Sequence, residues 1–188
     1  EEMLNSIFNA AKKMLGMISE TLESAAADAA QLELNLVETD LAELLNSSVN
    51  DQKILAKRKD QKIITEIEYE IEKVKVDKFW FREAIDNLIS NAIKYSPKKS
   101  EIKVRLESNY NDIKLSITDN GPGFTDDDKS KLFAKFQRLS AKPTAGESST
   151  GLGLFIVKQI IDKHKFSIEL DSKQNEGSSF QITIPQNI

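Results

Sequence analysis

The 188-residue sequence contains no cysteine and only one histidine, His164. Without cysteine the chain cannot form disulfides, use a thiolate in catalysis or bind zinc through cysteine. No apolar run approaches the roughly 20 residues that a membrane helix requires, and no signal peptide is visible. The net charge is −4 and the pI near 5.2, with Lys and Arg spread along the chain, so nothing favours nucleic-acid binding. These absences predict a cytoplasmic globular domain that contacts neither nucleic acid nor membrane.

The chain opens with a long amphipathic pattern between Leu4 and roughly Ala30. Apolar residues recur there at three- and four-residue intervals, which predicts a long helix with one apolar face. These residues are Leu4, Ile7, Phe8, Ala11, Leu15, Ile18 and Leu22. Such a helix at a domain edge usually pairs with another helix, and packing on its own domain is the alternative. Because the chain begins inside this pattern, we interpret it as part of a longer protein. The sequence is compatible both with a membrane-anchored parent protein and with one that is not anchored.

Strand and helix patterns alternate after this first helix. Leucines alternate with polar residues in Gln31–Glu38, which predicts a half-buried strand. Asp40, with Glu43 three residues later, has the signature of a capping box and predicts a helix that reaches about Lys59. The run Ile63–Ile71 predicts another strand.

The second half of the chain continues in the same way. Asp77 is predicted to cap a helix over Lys78–Lys94 that ends before Pro97. Another helix is predicted from Gly151 to about Lys163. Two hairpins surround it, Ile102–Leu106 with Ile113–Ile117 and Phe166–Leu170 with Ser179–Ile184. Residues 124–150 lack steady periodicity, which is typical of a lid or a disordered segment. The pattern predicts an α+β fold, a mixed sheet with helices on one face, preceded by a long helix.

Two carboxamides stand on one face of the helix predicted after Asp77. Asn87 and Asn91 are four residues apart, and Lys94 and Tyr95 continue the same face. A carboxamide oxygen is a hard, neutral ligand that suits magnesium held jointly with nucleotide phosphates. Lysine offers a point charge to phosphate, and tyrosine offers a flat ring to a base. Taken alone, two asparagines on a helix are usually polar surface, so this pattern depends on its context.

An acid followed by two glycines supplies part of that context. Asp119 directly follows a predicted strand, and Gly121 and Gly123 predict a tight turn. A buried aspartate at such a strand end can accept a hydrogen bond from an adenine amino group. A routine turn capped by an acid is the alternative.

A glycine pair, Gly151 and Gly153, opens the next apolar helix. Exposed amides at a helix N-terminus bind phosphate well when no side chain obstructs them. Close helix packing is the alternative reason for the glycines. The order of the three motifs, amides on a helix, acid with glycines, and glycines at a helix start, favours an ATP site.

These motifs resemble the boxes of the catalytic and ATP-binding domain of two-component sensor histidine kinases, which has a Bergerat-type ATP-binding fold. Asn87–Tyr95 resembles the N box, Asp119–Phe124 the G1 box, Leu132–Phe136 the F box and Thr150–Leu154 the G2 box. Gly177–Phe180 resembles the last glycine turn of the family. The resemblance covers about Leu34 to Ile188 and implies a two-layer sandwich with a mainly antiparallel sheet.

The resemblance implies a role for each matching residue. Asn91 would be the magnesium ligand, with Asn87 beside it on the metal and the phosphates. Lys94 would contact phosphate, and Arg138 of the lid would neutralise the terminal phosphate; with Asn87 these form the implied catalytic set. The implied contacts to ATP are Asn87, Asn91, Lys94, Tyr95, Asp119, Gly121, Gly123, Phe124, Phe136, Thr150, Gly151, Leu152, Gly153 and Leu154. The implied cofactors are therefore ATP and Mg²⁺.

The lid implied by the family spans about residues 125–150. It is expected to order around nucleotide and to loosen without it. The family often has a further glycine two residues before the glycine pair, where this chain has Ser149. That difference concerns the hinge of the lid and not the ATP site.

Residues 1–32 resemble the second helix of the family's dimerisation and phosphoacceptor hairpin, with residues 33–188 as the catalytic domain. The phosphoaccepting histidine belongs on the first helix, which the sequence does not contain. His164, beside Asp162 and Lys163, bears no resemblance to the family's acceptor motif. The implied partners are ATP or ADP, a response-regulator receiver domain, and a second copy joined through the dimerisation helices.

Three rival functions use the same motifs, because a fold does not fix a function. ATPases related to DNA gyrase or MutL place a glutamate base where this chain has Asn87, and an amide cannot accept that proton. Glu83, one turn earlier, is the only substitute. Anti-sigma-factor serine kinases lack a dimerisation helix feeding the domain. A non-catalytic docking module is the third, and the intact motifs count against it.

Overall fold

The computed structural model describes residues 33–68, 71–135, 137, 139–145 and 151–186. The helix predicted over Leu4–Ala30 lies outside these residues, so it stays a prediction, as does the division of the chain at residue 33. The described residues form, in chain order, β1 (Val37–Thr39), α1 (Leu41–Lys57), β2 (Lys62–Ile67), β3 (Val74–Val76), α2 (Lys78–Tyr95), β4 (Glu101–Ser108), β5 (Asp112–Asp119), α3 (Asp126–Lys131), α4 (Gly153–Lys163), β6 (Ser167–Lys173) and β7 (Gly177–Pro185).

Five strands form the main sheet in the order β2-β4-β5-β7-β6. Only the pairing of β2 with β4 is parallel among these, and the other neighbours are antiparallel. Strands β1 and β3 form a separate antiparallel pair, with Val37 opposite Val76. The predicted α+β class with a mixed, mainly antiparallel sheet is confirmed.

Helix α2 lies at the centre of the helical layer, packed against α1 and α4. Its buried face includes Phe81, Ile85 and Ile89, each at most 1% exposed. Strand β4 alternates buried and exposed residues, so one face of the sheet turns towards the helices. Because α2 is held on both sides, it is a rigid base for the polar side chains that project from it.

The helix starts follow the sequence signals. Asp40 Oδ1 accepts a hydrogen bond from the amide of Glu43 (3.0 Å), which caps α1. Asp77 Oδ1 accepts from the amides of Phe79 and Trp80 (3.1 Å each) and caps α2. Helix α2 ends at Tyr95 before Pro97, as predicted. Within the described parts of the chain, no helix combines the length and the apolar character needed to cross a membrane.

Two strand predictions were wrong in detail, and one short helix was not predicted. The strand predicted over Gln31–Glu38 begins only at Val37, and Leu36 is 49% exposed. The strand predicted over Ile63–Ile71 ends at Ile67, and Val74–Val76 forms a separate strand that pairs with β1. The polar region after residue 124 contains the short helix α3, which periodicity did not reveal.

Candidate nucleotide site

Helix α2 presents Asn87, Asn91, Lys94 and Tyr95 on one half-buried face. The amide nitrogen of Asn87 donates to the carbonyl of Glu83 (2.9 Å), one turn earlier, which fixes the side chain on the helix surface. The ammonium group of Lys94 lies 5.9 Å from the centroid of the Tyr95 ring. Together these side chains form a polar ridge that ends in an aromatic ring.

The start of α4 packs directly on this ridge. A Cβ atom on Gly153 would lie 2.9 Å from Asn87 Oδ1 and 3.9 Å from Asn91 Nδ2. Any side chain at this position would therefore displace the Asn87 carboxamide. The close approach joins the asparagine helix to the glycine pair, two motifs separated by about sixty residues of sequence.

A cavity of about 190 Å³ lies where the two helices meet. The residues around it are Asn87, Ser90, Asn91, Lys94, Leu132, Gln137, Leu139, Gly151, Gly153 and Leu154. Asn87, Asn91, Lys94 and both glycines were predicted as site residues, and this cavity brings them together. The arrangement combines a cation, two amide oxygens and a helix N-terminus, which suits a phosphate chain with a divalent ion.

Asp119 ends β5 and is only 8% exposed. Its Oδ1 accepts from the amide of Gly121 (2.6 Å), and its Oδ2 accepts from the hydroxyl of Ser178 (2.6 Å). Burial raises the pKa of Asp119, and the hydrogen bonds from Ser178 and Gly121 partly offset this effect. The sheet register places Asp119 directly opposite Ser178 on β7.

Two glycines keep the surroundings of Asp119 open. Gly177 has φ +97°, and a Cβ there would lie 2.2 Å from the carbonyl oxygen of Asp119. Gly123 has φ +64°, and its Cβ would lie 2.2 Å from the carbonyl oxygen of Lys173. No other residue fits either position without moving the backbone, because both distances are far inside van der Waals contact.

A second cavity, about 50 Å³, lies beside Asp119. It is lined by Asn91, Tyr95, Asp119, Pro122, Gly123, Phe124, Leu139, Ala141, Leu154, Ser178 and Phe180. Phe124 and Phe180 meet edge to face at 6.0 Å between centroids. The cavity is therefore mostly apolar with one buried acid at its base, which suits a flat heterocycle that donates a hydrogen bond.

Several predicted residues lie elsewhere. Gly121 faces a wider groove outside this cavity, beside Tyr95. Leu152 is buried at the start of α4, where its carbonyl oxygen accepts a hydrogen bond from the amide of Ile156 (2.9 Å). Phe136, Arg138 and Thr150 lie outside the described residues, so their roles stay predictions.

Ser178 is the main contributor that the sequence analysis missed. It belongs to the Gly177–Phe180 turn, which was matched to the family without assigning a contact. Leu139 and Ala141, which line the heterocycle cavity, were also missed because they lie in the irregular region after α3.

The first part of the predicted lid is held in place by Asp128. Its carboxylate accepts from the amide of Ser140 (2.9 Å) and the hydroxyl of Thr125 (2.7 Å), and also from the hydroxyl of Ser140. Burial opposes ionisation of Asp128, but the hydrogen bonds from Ser140 and Thr125 outweigh it and lower the pKa to about 2. Asp128 thus joins the two ends of the segment from residue 125 to residue 140.

The sequence is similar to a known protein family and to individual kinases. A family of histidine kinase-, DNA gyrase B- and HSP90-like ATPases matches residues 76–188. The chain is 30% identical over 174 residues to the sensor-like histidine kinase SenX3 of Mycolicibacterium smegmatis, covering 93% of this chain and 45% of that protein. It is 31% identical over 175 residues to the adaptive-response sensory kinase SasA of Synechococcus sp., strain JA-3-3Ab, covering 93% and 46%. The chain thus spans less than half the length of these two relatives.

Solved structures show the same architecture. The catalytic domain of the histidine kinase ThkA superposes with a TM-score of 0.71 at 25% identity, covering 81% of this chain and 99% of that domain. ThkA has also been solved in complex with the response regulator protein TrrA.

Proposed function

This chain belongs to the family of histidine kinase-, DNA gyrase B- and HSP90-like ATPases, and from that we propose that it is the catalytic domain of a sensor histidine kinase. Its reaction is transfer of the γ-phosphoryl group of Mg-ATP to a histidine of the longer parent protein. An aspartate on a response regulator then receives the group. The observation that carries this proposal is Asn87, an amide and not an acid, on the wall of the phosphate-sized cavity.

The cavity beside Asp119 is assigned to adenine. The Asp119 carboxylate accepts a hydrogen bond from the exocyclic amino group of adenine. Tyr95 and Phe124 cover the faces of the adenine ring. The buried carboxylate gives specificity, because a base without a donor at this position would leave part of its acceptor capacity unsatisfied. Ser178 and the amide of Gly121 hold the carboxylate in its orientation.

The cavity between α2 and α4 is assigned to the phosphates. Asn91 and Asn87 supply neutral oxygen ligands for Mg²⁺, and Gly153 leaves the room that their carboxamides need. When bound, the ion neutralises charge that develops on the transferring phosphoryl group. Lys94 and the amides that begin α4 hold the phosphate chain, and Arg138 is proposed to close on the terminal phosphate.

The acceptor histidine has to come from outside this sequence. His164 is its only histidine and is 6% exposed. Its Nε2 accepts from the amide of Asp77 (3.0 Å), and its Nδ1 pairs with the carbonyl of Ile160 (2.8 Å). Both ring nitrogens are therefore engaged in the fold, so neither can attack a phosphoryl group.

The partners are proposed on the same basis. ThkA binds a response regulator, and this supports a receiver domain as the partner of the present protein. The helix predicted over Leu4–Ala30 is proposed to join two copies of the parent through its apolar face. Mg²⁺ and the roles of the individual site residues belong to this proposal.

A transfer assay tests the function. The chain is incubated with γ-labelled ATP and a separate hairpin that carries the acceptor histidine of the parent protein. We expect label on the hairpin that survives alkali and not acid, and none on the chain itself. Asn91→Ala should abolish the labelling, whereas Asn111→Ala, in the exposed turn between β4 and β5, should leave it unchanged.

Hydrolysis without transfer would contradict the kinase proposal. Steady phosphate release with an unlabelled hairpin would instead indicate a gyrase-like ATPase. Glu83 is exposed, one turn before Asn87, and Glu83→Gln would then be the variant that identifies the base.

A further inference from the structure

Lys59, just after α1, is the only lysine among the described residues that is buried, with 5% of its surface exposed. Burying an ammonium group is costly unless acceptors surround it. Its Nζ donates to the carbonyls of Ile93 (2.7 Å) and Lys94 (3.0 Å) and to the hydroxyl of Thr144. The lysine thus touches two separate segments, the last turn of α2 and the region that follows α3.

At the end of α2, Lys59 satisfies carbonyls that have no partner within the helix. Its positive charge also interacts favourably with the negative, C-terminal end of the helix dipole. Gln61 adds hydrogen bonds to the carbonyls of Ile93 (3.1 Å) and Ser96 (3.0 Å). These contacts fix the turn that carries Lys94 and Tyr95, the proposed phosphate and adenine contacts.

At the other segment, Thr144 is tied to the same turn. Its amide donates to the carbonyl of Lys94 (3.1 Å), and its hydroxyl donates to the carbonyl of Ser96 (2.8 Å). Since Lys59 also donates to this hydroxyl, one side chain links helix and segment together.

The segment that ends at Thr144 forms one wall of the adenine cavity. Leu139 and Ala141 line that cavity, and Ser140 between them is held by Asp128. The wall is therefore fixed at both ends, by a buried carboxylate at Ser140 and by a buried ammonium group at Thr144. Without the second anchor, the chain after Ser140 has one attachment fewer to the body of the domain.

We propose that Lys59 is a positioning residue for nucleotide binding, which acts through Thr144 and the end of α2 to hold the Leu139–Thr144 wall against the adenine ring. This inference rests on the proposed function, because it takes the cavity beside Asp119 as the adenine site. A helix cap alone would not need the Thr144 hydroxyl. The link between the two segments is what distinguishes positioning from simple stabilisation.

Thr144→Val tests the link with little change of volume, and Thr144→Ser is its matched control because it keeps the hydroxyl. Titration with a fluorescent ATP analogue should give a dissociation constant about tenfold higher for Thr144→Val, the effect of losing a hydrogen bond to a charged group. ATP and ADP should weaken alike, since the wall faces the base. Thr144→Ser should bind as the unsubstituted chain does.

Lys59→Met, compared with Lys57→Met on the exposed end of α1, tests the other side of the link. We expect weaker nucleotide binding only for Lys59→Met. Hydrogen exchange without nucleotide should show faster exchange of the amide of residue 144 in both Lys59→Met and Thr144→Val, whereas the amide of Ser140, which Asp128 holds, serves as the internal reference. This readout does not depend on the binding assay.

Unchanged nucleotide affinity of Thr144→Val, in a chain that itself binds ATP, would overturn the inference and leave the proposed function intact. Equal losses for Thr144→Val and Thr144→Ser would also overturn it, because the hydroxyl would then have no part in the effect. No nucleotide binding by the unsubstituted chain would overturn the proposed function, and this inference with it.

Discussion

The carboxyl group of Asp119 lies at the base of the proposed adenine cavity, 8% exposed, with hydrogen bonds from Gly121 and Ser178. Burial raises its pKa, so the folded protein binds a proton there more readily than the unfolded chain does. This contribution to stability is therefore present at low pH and is lost as the pH rises through the folded-state pKa. At neutral pH the charge of Asp119 is therefore a cost to folding.

Replacing that charge should separate binding from stability. In Asp119→Asn the amide oxygen can accept from Gly121 and the amide nitrogen can donate to the Ser178 hydroxyl; only the backbone amide of Ser178 loses its acceptor, and the loss of a buried charge offsets this. The amide nitrogen would then face the amino group of adenine, donor against donor. We expect ATP affinity to fall by about a hundredfold, roughly 3 kcal/mol, with no decrease in the melting temperature.

Calorimetric titration with ATP and thermal unfolding monitored by circular dichroism check this expectation. Asp112→Asn, at the opposite end of β5, is the control and should change neither quantity. Unchanged ATP affinity in Asp119→Asn would show that the carboxylate does not recognise the adenine base.

The junction between α2 and α4 decides the geometry of the proposed phosphate cavity. Gly153 is the first residue of α4, where alanine would favour the helix by up to about 1 kcal/mol. Its Cβ, however, would lie 2.9 Å from Asn87 Oδ1, which is the end of a side chain and can move. The clash is thus resolved at little cost to folding, by moving a proposed metal ligand.

We therefore expect Gly153→Ala to keep or slightly raise the melting temperature while it weakens Mg-ATP binding by about tenfold. Titrations with and without Mg²⁺ check the reason, because the loss should be smaller when the ion is absent. An equal loss in both titrations would indicate that α4 itself has moved, and not the Asn87 carboxamide.

The helices and strands differ in how well the sequence predicts them. Helices α1 and α2 were predicted because Asp40 and Asp77 cap them and their apolar residues recur regularly. Strand β3 was missed because it has only three residues and its partner β1 lies about forty positions earlier. Helix α3 has no apolar face to read; Thr125 and Asp128 hold its start in a reciprocal capping box.

The proposed site is assembled from three distant parts of the chain. The sequence motifs predicted Asn91, Asp119 and Gly153 as site residues, but they did not predict that these residues lie beside one another. Ser178 reaches Asp119 through the register of β7 with β5, a long-range pairing that no local pattern encodes. Lys59 was missed for the same reason, since a lysine after a helix predicts an exposed side chain.

The folded state as a whole is linked to pH through His164, which connects the end of α4 to the start of α2. Its ring lies against Phe81 and Phe166, at 5.7 and 5.4 Å between centroids. Burial lowers the pKa of His164, an effect that the hydrogen bond with the Ile160 carbonyl and the charge of Asp77 partly offset. A proton on Nε2 would face the amide of Asp77 and break the hydrogen bond that holds the start of α2.

Because the folded-state pKa of His164 is below the unfolded value of 6.5, its contribution to stability is complete above that pH and is lost as the pH falls through the folded-state pKa. We expect urea unfolding to give a lower free energy of unfolding at pH 5 than at pH 7.5. Carboxylates also titrate towards pH 5, so His164→Gln is the reference: an amide oxygen can still accept from Asp77 without gaining a proton. The pH-dependent loss should be smaller in His164→Gln, and equal losses in the two proteins would show that His164 stays neutral throughout.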